Sequence, residues 1–520
     1  MLTQAANRDS HPSFWPRVRE YAVPAPMIET ATARRQAGDW AGACAAAGID
    51  VDLQLRSVAR THGRELSARI RTDLRHLVPD LLRWHMPRTA PHGLLRPGLT
   101  MALARYRVPG RDGPNPLHLV VRTPPGWADA RQRISLALWD GSPTGPGARH
   151  HPHLRPNRRF RLDLHRHLWD ARRTDELRSR AGADQWAADG SPASAADGPS
   201  EIDPEVLRAL PPHRPYAVGR WAAEAAILLH AEGQGADGAV SVRLGGRRRL
   251  LLDVIGGEAG PGTAEDFGGP GTDGARAPLV RIAAAAPGPG SPAPPVLPDA
   301  ATWVLPDLEL IRTGAIDAGQ LHPLVARALV PDLPQPVPAS ARSRSGDRAE
   351  AWRLVECRGE RHRIGLVDGV LAPLDHDPAE IRREELLVVL NGTPLPCLQA
   401  IDVAHRRPDC LTGVRERLDH GDISGALAVV EGLLGPEAVL RSGPLRDELE
   451  AAAQRRISYG LFRADLVGPG PGSYRPDRRS PHRRSPHRRS PHRRSPDPRS
   501  PDQRRPGDRR PRPHRTAAVR

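Results

Sequence analysis

The chain has 520 residues, a formal net charge of +16, 38% apolar residues, 57 prolines and 49 glycines. Its length leaves room for two to four domains, and its low apolar content predicts globular islands between unstructured connections. It contains no lysine, which excludes a standard Walker A loop, a protein-kinase strand lysine and Schiff-base chemistry.

Residues 1–26 read as a flexible N-terminus and 27–90 as a helical hairpin region. In RRQAGDWAGACAAAG, residues 34–48, Gly38 is suited to end one helix in the left-handed conformation and Asp39 to cap the next. Gly42 and Ala43 are small enough to let the second helix lie close to the first. Leu66, Ile70, Leu74 and Leu77 then fall on one helical face. Pro79 opens a further short helix and Pro87 stops it.

Residues 98–175 change period. LTMALARYRV, PLHLVVRT and RISLALWD read as strands bounded by turn residues. RFRLDLHRHLWDARR fits either a strand or a helix. Residues 181–203 are a linker by composition. Residues 214–330 form a second α+β region: a helix at YAVGRWAAEAAILLHAEG, a hairpin at AVSVRLGGRRRLLLDV turning at Gly245-Gly246, a loop, a strand at PLVRIAAAA, a strand at ATWVLPDLELI and a helix at DAGQLHPLVARALV. A second linker occupies 331–347.

Residues 350–465 open with a β-meander and continue as a helical bundle. Within the bundle, RLDHGDISGALAVVEG, residues 417–432, repeats the Gly-Asp phrase of the N-terminal hairpin. No regular period separates the copies, so the phrase marks recurrent hairpin chemistry and a solenoid is not expected. Residues 466–520 are an Arg-rich repeat tail, read as disordered. Residues 471–520 hold 17 arginines and four aspartates, a net of +13, which leaves only +3 for the preceding chain. The fold class predicted is α+β: several small helical and β-meander islands joined by Pro/Gly-rich linkers, with a disordered C-terminal tail.

Five histidines cluster at His150, His151, His153, His165 and His167. On a strand, His165 and His167 would share a face and, with a third ligand, hold Zn or Ni. The many arginines around them repel a divalent cation, and the segment reads as a solvated basic loop. Cys44, Cys357, Cys397 and Cys410 form no C-x-x-C pair, suit a reducing compartment and read as structural thiols. No G-x-S-x-G elbow or dinucleotide fingerprint occurs. The N-terminus lacks the apolar core of a signal peptide, and the longest apolar stretch, WAAEAAILLHA, is too short to span a membrane. A cytoplasmic protein with no cofactor, no stoichiometric metal and no membrane partner is expected.

The tail carries the strongest local signal for a partner. Arg478, Arg479, Arg483, Arg484, Arg488, Arg489, Arg493 and Arg494 are candidate anion-binding residues that would engage DNA or RNA through counterion release without reading bases. A functionless tandem expansion is the competing reading. RRQAGDWAGACAAAGIDVDLQLRSVARTHGRELSARIR, DLLRWHMPR, RRFRLDLHRHLWDARR and CRGERHRIGLVDG together resemble an uncharacterised actinobacterial protein family, a resemblance that implies no activity. The expected function is therefore a non-catalytic interaction or scaffold protein that uses its helical hairpins to bind an unknown protein partner. Sequence-independent nucleic-acid binding through the tail is the first alternative, and an enzyme with a site assembled from distant residues is the second.

Overall fold

The chain is α+β: among the described residues, helices accompany four small separate sheets, none of them closed into a barrel. The computed structural model describes residues 14–107, 116–128, 132–141, 151–185, 204–211, 215–235, 237–246, 248–255, 279–283, 293–331 and 353–467.

The first region runs α1 (Trp15–Tyr21), α2 (Ala25–Gln36), α3 (Trp40–Ala46), β1 (Ile49–Val51), α4 (Leu55–His62), α5 (Arg64–His76) and α6 (Pro79–Trp84). It continues through the short pair β2 (Arg88–Thr89) and β3 (Leu94–Leu95), then β4 (Thr100–Tyr106), β5 (Leu117–Arg122) and β6 (Ile134–Trp139). The last three segments are the strands expected there; they pair as an antiparallel meander, and β1 adds to it in parallel beside β6. Leu66, Ile70 and Leu74 bury one face of α5. Over residues 14–26 the expected flexible N-terminus is corrected by α1, and residues 1–13 lie outside the described residues. Pro16 opens this helix, and Phe14, Val18, Ala22 and Val23 are buried in the main core.

Next come α7 (Leu177–Ala181), α8 (Pro204–Ala209), α9 (Trp221–Ala231), β7 (Gly238–Gly245), β8 (Arg248–Ile255), β9 (Leu279–Ile282), α10 (Asp299–Thr302), α11 (Pro306–Arg312) and α12 (Pro323–Leu329). RFRLDLHRHLWDARR is neither strand nor regular helix. It holds one 3-10 turn at Arg166–Leu168, is followed by another at Thr174–Glu176, and is pinned by single bridges from Arg161 to Ala102 and from Asp170 to Leu77. ATWVLPDLELI ends in a helix, α11, because Pro306 takes the first helical position and Asp307 and Glu309 suit the first turn. The region expected at 214–330 is also divided between two cores. Trp221, Leu229, Val242 and Leu252 belong to a second core, whereas Leu308, Leu310, Val325 and Leu329 complete the first.

The C-terminal region is β10 (Arg353–Cys357), β11 (Glu360–Val367), β12 (Val370–Pro373), α13 (Pro378–Asn391), α14 (Pro396–Arg406), α15 (Leu411–His420), α16 (Ile423–Leu434) and α17 (Pro444–Arg463). A β-meander followed by helices is the order expected over residues 350–465. Among the described residues no helix is long and apolar enough to cross a membrane.

The two Gly-Asp phrases build the same hinge, at α2–α3 and at α15–α16. Gly38 and Gly421 take φ of 77° and 87°, and each is followed by a capping aspartate. Asp39 accepts from the Gly42 amide at 2.8 Å and Asp422 from the Gly425 amide at 2.9 Å. An arginine five residues earlier holds each carboxylate, Arg34 at 3.2 Å and Arg417 at 2.8 Å. The glycine after the cap serves the carboxylate. A Cβ on Gly42 or Gly425 would stand 2.1 Å from the carboxylate oxygen that takes the arginine, so the capping carboxylate would have to move. Tight packing falls instead to Ala43 and Ala426, which are buried.

Opposite effects are therefore expected within one helix. Gly425→Ala displaces the cap and destabilises by roughly 1 kcal/mol. Gly432→Ala, in the same helix with open space around the new methyl, stabilises by roughly 0.5–1 kcal/mol. Urea unfolding of the two variants checks the signs; two stabilising substitutions would refute the cap argument.

Candidate functional site

A pocket of about 290 Å³ lies where the two cores meet. Its walls come from the start of α1, the segment after α6, the turns around residues 159–168, α7, β7 and the segment joining α10 to α11. Eight arginines line it, against Asp299 and Glu309.

Four of these arginines are neutralised. Arg19 pairs with Asp307 at 2.7 Å, and Arg159 holds Asp299 through two hydrogen bonds of 3.1 and 2.7 Å. Arg161 is shared between Asp163 and Glu232. Arg180 reaches Glu224, the one acid that interrupts the apolar helix α9, at 2.6 Å. Burial alone would raise the Glu224 carboxyl; His165 and Arg180 overcome this and hold it well below the usual range.

Arg88, Arg96, Arg220 and Arg243 are different: none forms an ion pair among the described residues. Arg88 donates only to the Gln132 side chain at 2.9 Å and to the carbonyl oxygens of Arg83 and Gly93, and its buried Nε has no partner. Arg220 Nη2 donates to the carbonyl oxygens of Ala300 and Trp303 at 3.3 Å each, again with Nε unpartnered. Burial lowers the pKa of all four. The Arg159 charge lowers Arg96 and Arg243 further. Three guanidiniums thus gather around the single carboxylate of Asp299.

Two imidazoles join them. Burial pushes His85 down to about 4 and His167 well below its ordinary value, so both are neutral near pH 7. His85 Nδ1 donates to the Leu168 carbonyl oxygen, 3.1 Å away, which leaves its buried Nε2 as an acceptor without a partner. Phe14, Trp15, Phe160 and Trp303 supply aromatic walls, with Arg159 stacked 5.2 Å from the Phe160 ring.

The expectation of a solvated loop around the histidines is corrected. His165 and His167 are 1% and 3% exposed, with rings 5.7 Å apart edge to face. His165 Nδ1 lies 2.8 Å from the Arg161 carbonyl oxygen and Nε2 lies 3.2 Å from Glu224. His151 is buried against the Thr123 carbonyl oxygen, His153 is exposed, and His150 lies outside the described residues. The segment lies in the interior because Trp169 and Leu168 pull it there, and Trp169 is fully buried. Arg478, Arg479, Arg483, Arg484, Arg488, Arg489, Arg493 and Arg494 all lie outside the described residues.

A larger open cleft of about 910 Å³ separates the first region from the C-terminal bundle. Several of its charges are already matched. Asp50 receives Arg133 and the Tyr459 hydroxyl, and Arg463 pairs with Asp52. The arginine-lined pocket is therefore the stronger candidate.

Sequence reading missed this pocket because no local motif encodes it: its arginines are scattered from α1 to β7. The available signal was the arginines at 88, 96, 220 and 243, each on or beside an apolar stretch predicted to pack. No protein-family model matches the chain, and no curated protein or solved structure matches it.

Proposed function

We propose that the protein binds a small organic anion, a phosphate or carboxylate carried on a flat apolar body, in the pocket between its two cores. The observation that carries this reading is the set of four guanidiniums lining the pocket without ion pairs. Burying an unpaired charge is costly, and a bound anion removes that cost. Guanidinium groups match the geometry of carboxylate and phosphate oxygens, and the aromatic walls suit a planar body.

Thermal unfolding of the full chain tests the proposal. Inorganic phosphate and a panel of aromatic phosphates and carboxylates should raise Tm. A ligand present at one hundred times its Kd contributes about 2.7 kcal/mol. The double variant Arg96→Gln/Arg243→Gln should lose most of that shift while remaining folded. No shift with any anion, or the same shift in the double variant, overturns the reading.

A second reading, the protein-binding role expected from the sequence, is favoured by α13. Its Leu386, Val389 and Leu390 are 70%, 84% and 80% exposed, and clustered exposed apolar residues of this kind mark interaction sites. The helical hairpins themselves place Ala43, Val414 and Ala426 in the interior. Leu386→Glu with Leu390→Glu should abolish co-purification of a protein partner from native cells and leave the anion shift intact. A partner that persists in this variant argues against the helix.

A further inference from the structure

A second site lies far from the pocket in sequence, in the small core between the β10–β12 meander and α14. Cys357 ends β10 and Cys397 occupies the first turn of α14, and both are fully buried. His376, in the segment between β12 and α13, is 9% exposed. One ligand atom from each of the three lies within 4.8 Å of the other two. Tetrahedral zinc with Zn–S near 2.3 Å and Zn–N near 2.0 Å requires ligand separations of about 3.3–3.8 Å, so a small inward shift closes the set.

The surroundings are those of a ligating histidine. His376 Nδ1 lies 3.5 Å from the Glu380 carboxylate. Glu380 is itself held by Arg358, the residue after Cys357. His376 Nε2 is buried and has no hydrogen-bond partner. A carboxylate on one ring nitrogen fixes the tautomer and frees the other for a metal. The His362 ring is stacked on His376 with centroids 4.3 Å apart, and its buried Nδ1 also lacks a partner. The local core is small, with Ile364, Leu395 and Ile401 as its other buried members. Cores of this size commonly depend on a metal or disulfide staple.

We propose that Cys357, Cys397 and His376 hold a zinc ion as its three protein ligands. Two thiolates and imidazole nitrogen form the soft N/S set that selects zinc over magnesium or calcium. Binding replaces the two thiol protons by the metal, and the ion ties the meander to α14. The site is independent of the anion pocket and contradicts the expectation of no stoichiometric metal.

Elemental analysis of the full chain, purified without a histidine tag, should find about one zinc per chain. After removal of zinc by a chelator, Co²⁺ should restore one equivalent and give thiolate-to-cobalt charge-transfer absorption. Cys397→Ser and His376→Gln should each lose the metal, and His165→Gln with His167→Gln should keep it. The His376 variant leaves both thiols in place, so it reports on ligation even if the cysteine variant does not fold. The proposal fails if the native chain takes up neither ion with both thiols free, if Cys357 and Cys397 are recovered as a disulfide, or if bound metal survives His376→Gln.

Discussion

Replacing Asp307 with alanine is expected to destabilise the folded chain by about 3–5 kcal/mol. Asp307 opens α11 and is fully buried, and its partner Arg19 on α1 has a side chain only 2% exposed. One carboxylate oxygen takes the Arg19 guanidinium at 2.7 Å and the other accepts from Trp84 Nε1 at 3.0 Å. Arg19 also donates to the Trp84 carbonyl oxygen at 2.8 Å, and its guanidinium stacks 4.4 Å from the Trp84 ring. Burial lowers the Arg19 pKa and the Asp307 charge opposes that shift. Without Asp307 a cation stays in the interior with no counter-charge. That is the expensive outcome of breaking a buried pair, whereas replacing both partners by apolar groups is often neutral. Urea unfolding followed by tryptophan fluorescence should therefore show a large loss for Asp307→Ala and a substantial recovery for Arg19→Met/Asp307→Leu. A loss below about 1 kcal/mol, the scale of a surface pair, would contradict the argument.

Replacing Arg83 with methionine is expected to cost roughly 3 kcal/mol or more, because it strands several buried carbonyl groups at once. Arg83 lies on α6 and is 2% exposed. Its Nε donates to the Ala22 carbonyl oxygen at 2.9 Å, Nη1 to that of Gln132 at 2.6 Å and Nη2 to that of His420 at 3.0 Å. One side chain thus ties together the end of α1, the approach to β6 and the last residue of α15, next to the second Gly-Asp hinge. Burial, and then the nearby Arg133 charge, pushes Arg83 down to about 10, which leaves it charged at neutral pH. Gly421 packs so closely here that an added Cβ would meet the Gln132 Cβ at 2.9 Å. Arg83→Lys should not rescue the loss, since a single ammonium cannot reproduce the guanidinium fork. Hydrogen exchange should rise at residues 418–424 in either variant, because the hinge loses its tie to the first region. Unchanged protection there, with stability near that of the native chain, would show that the contact does not hold the bundle in place.

Local chemistry made part of this architecture legible in advance. Asp39 and Asp422 cap their helices because an aspartate after a left-handed glycine has few other uses at a helix start. The strands β4, β5 and β6 and the meander β10–β12 follow from short apolar or alternating runs between turn residues, a pattern only a few residues wide. Pro79, Pro378 and Pro444 each open a helix at the position where a missing amide costs nothing. What stayed hidden depends on partners remote in sequence. α1 owes its place to Asp307, nearly three hundred residues later. His165 and His167 read as exposed among arginines until Asp163, Glu224 and Glu232 neutralise that charge from other elements. The pocket arginines and the Cys357–His376–Cys397 cluster acquire their chemistry only by convergence. The amino-acid sequence by itself determined both hinges and most of the helices and strands, because those rest on steric and hydrogen-bonding preferences a few residues wide. The tertiary structure alone decided which charges are left unpaired and which thiols meet a histidine, because both depend on distances between segments that no local pattern encodes.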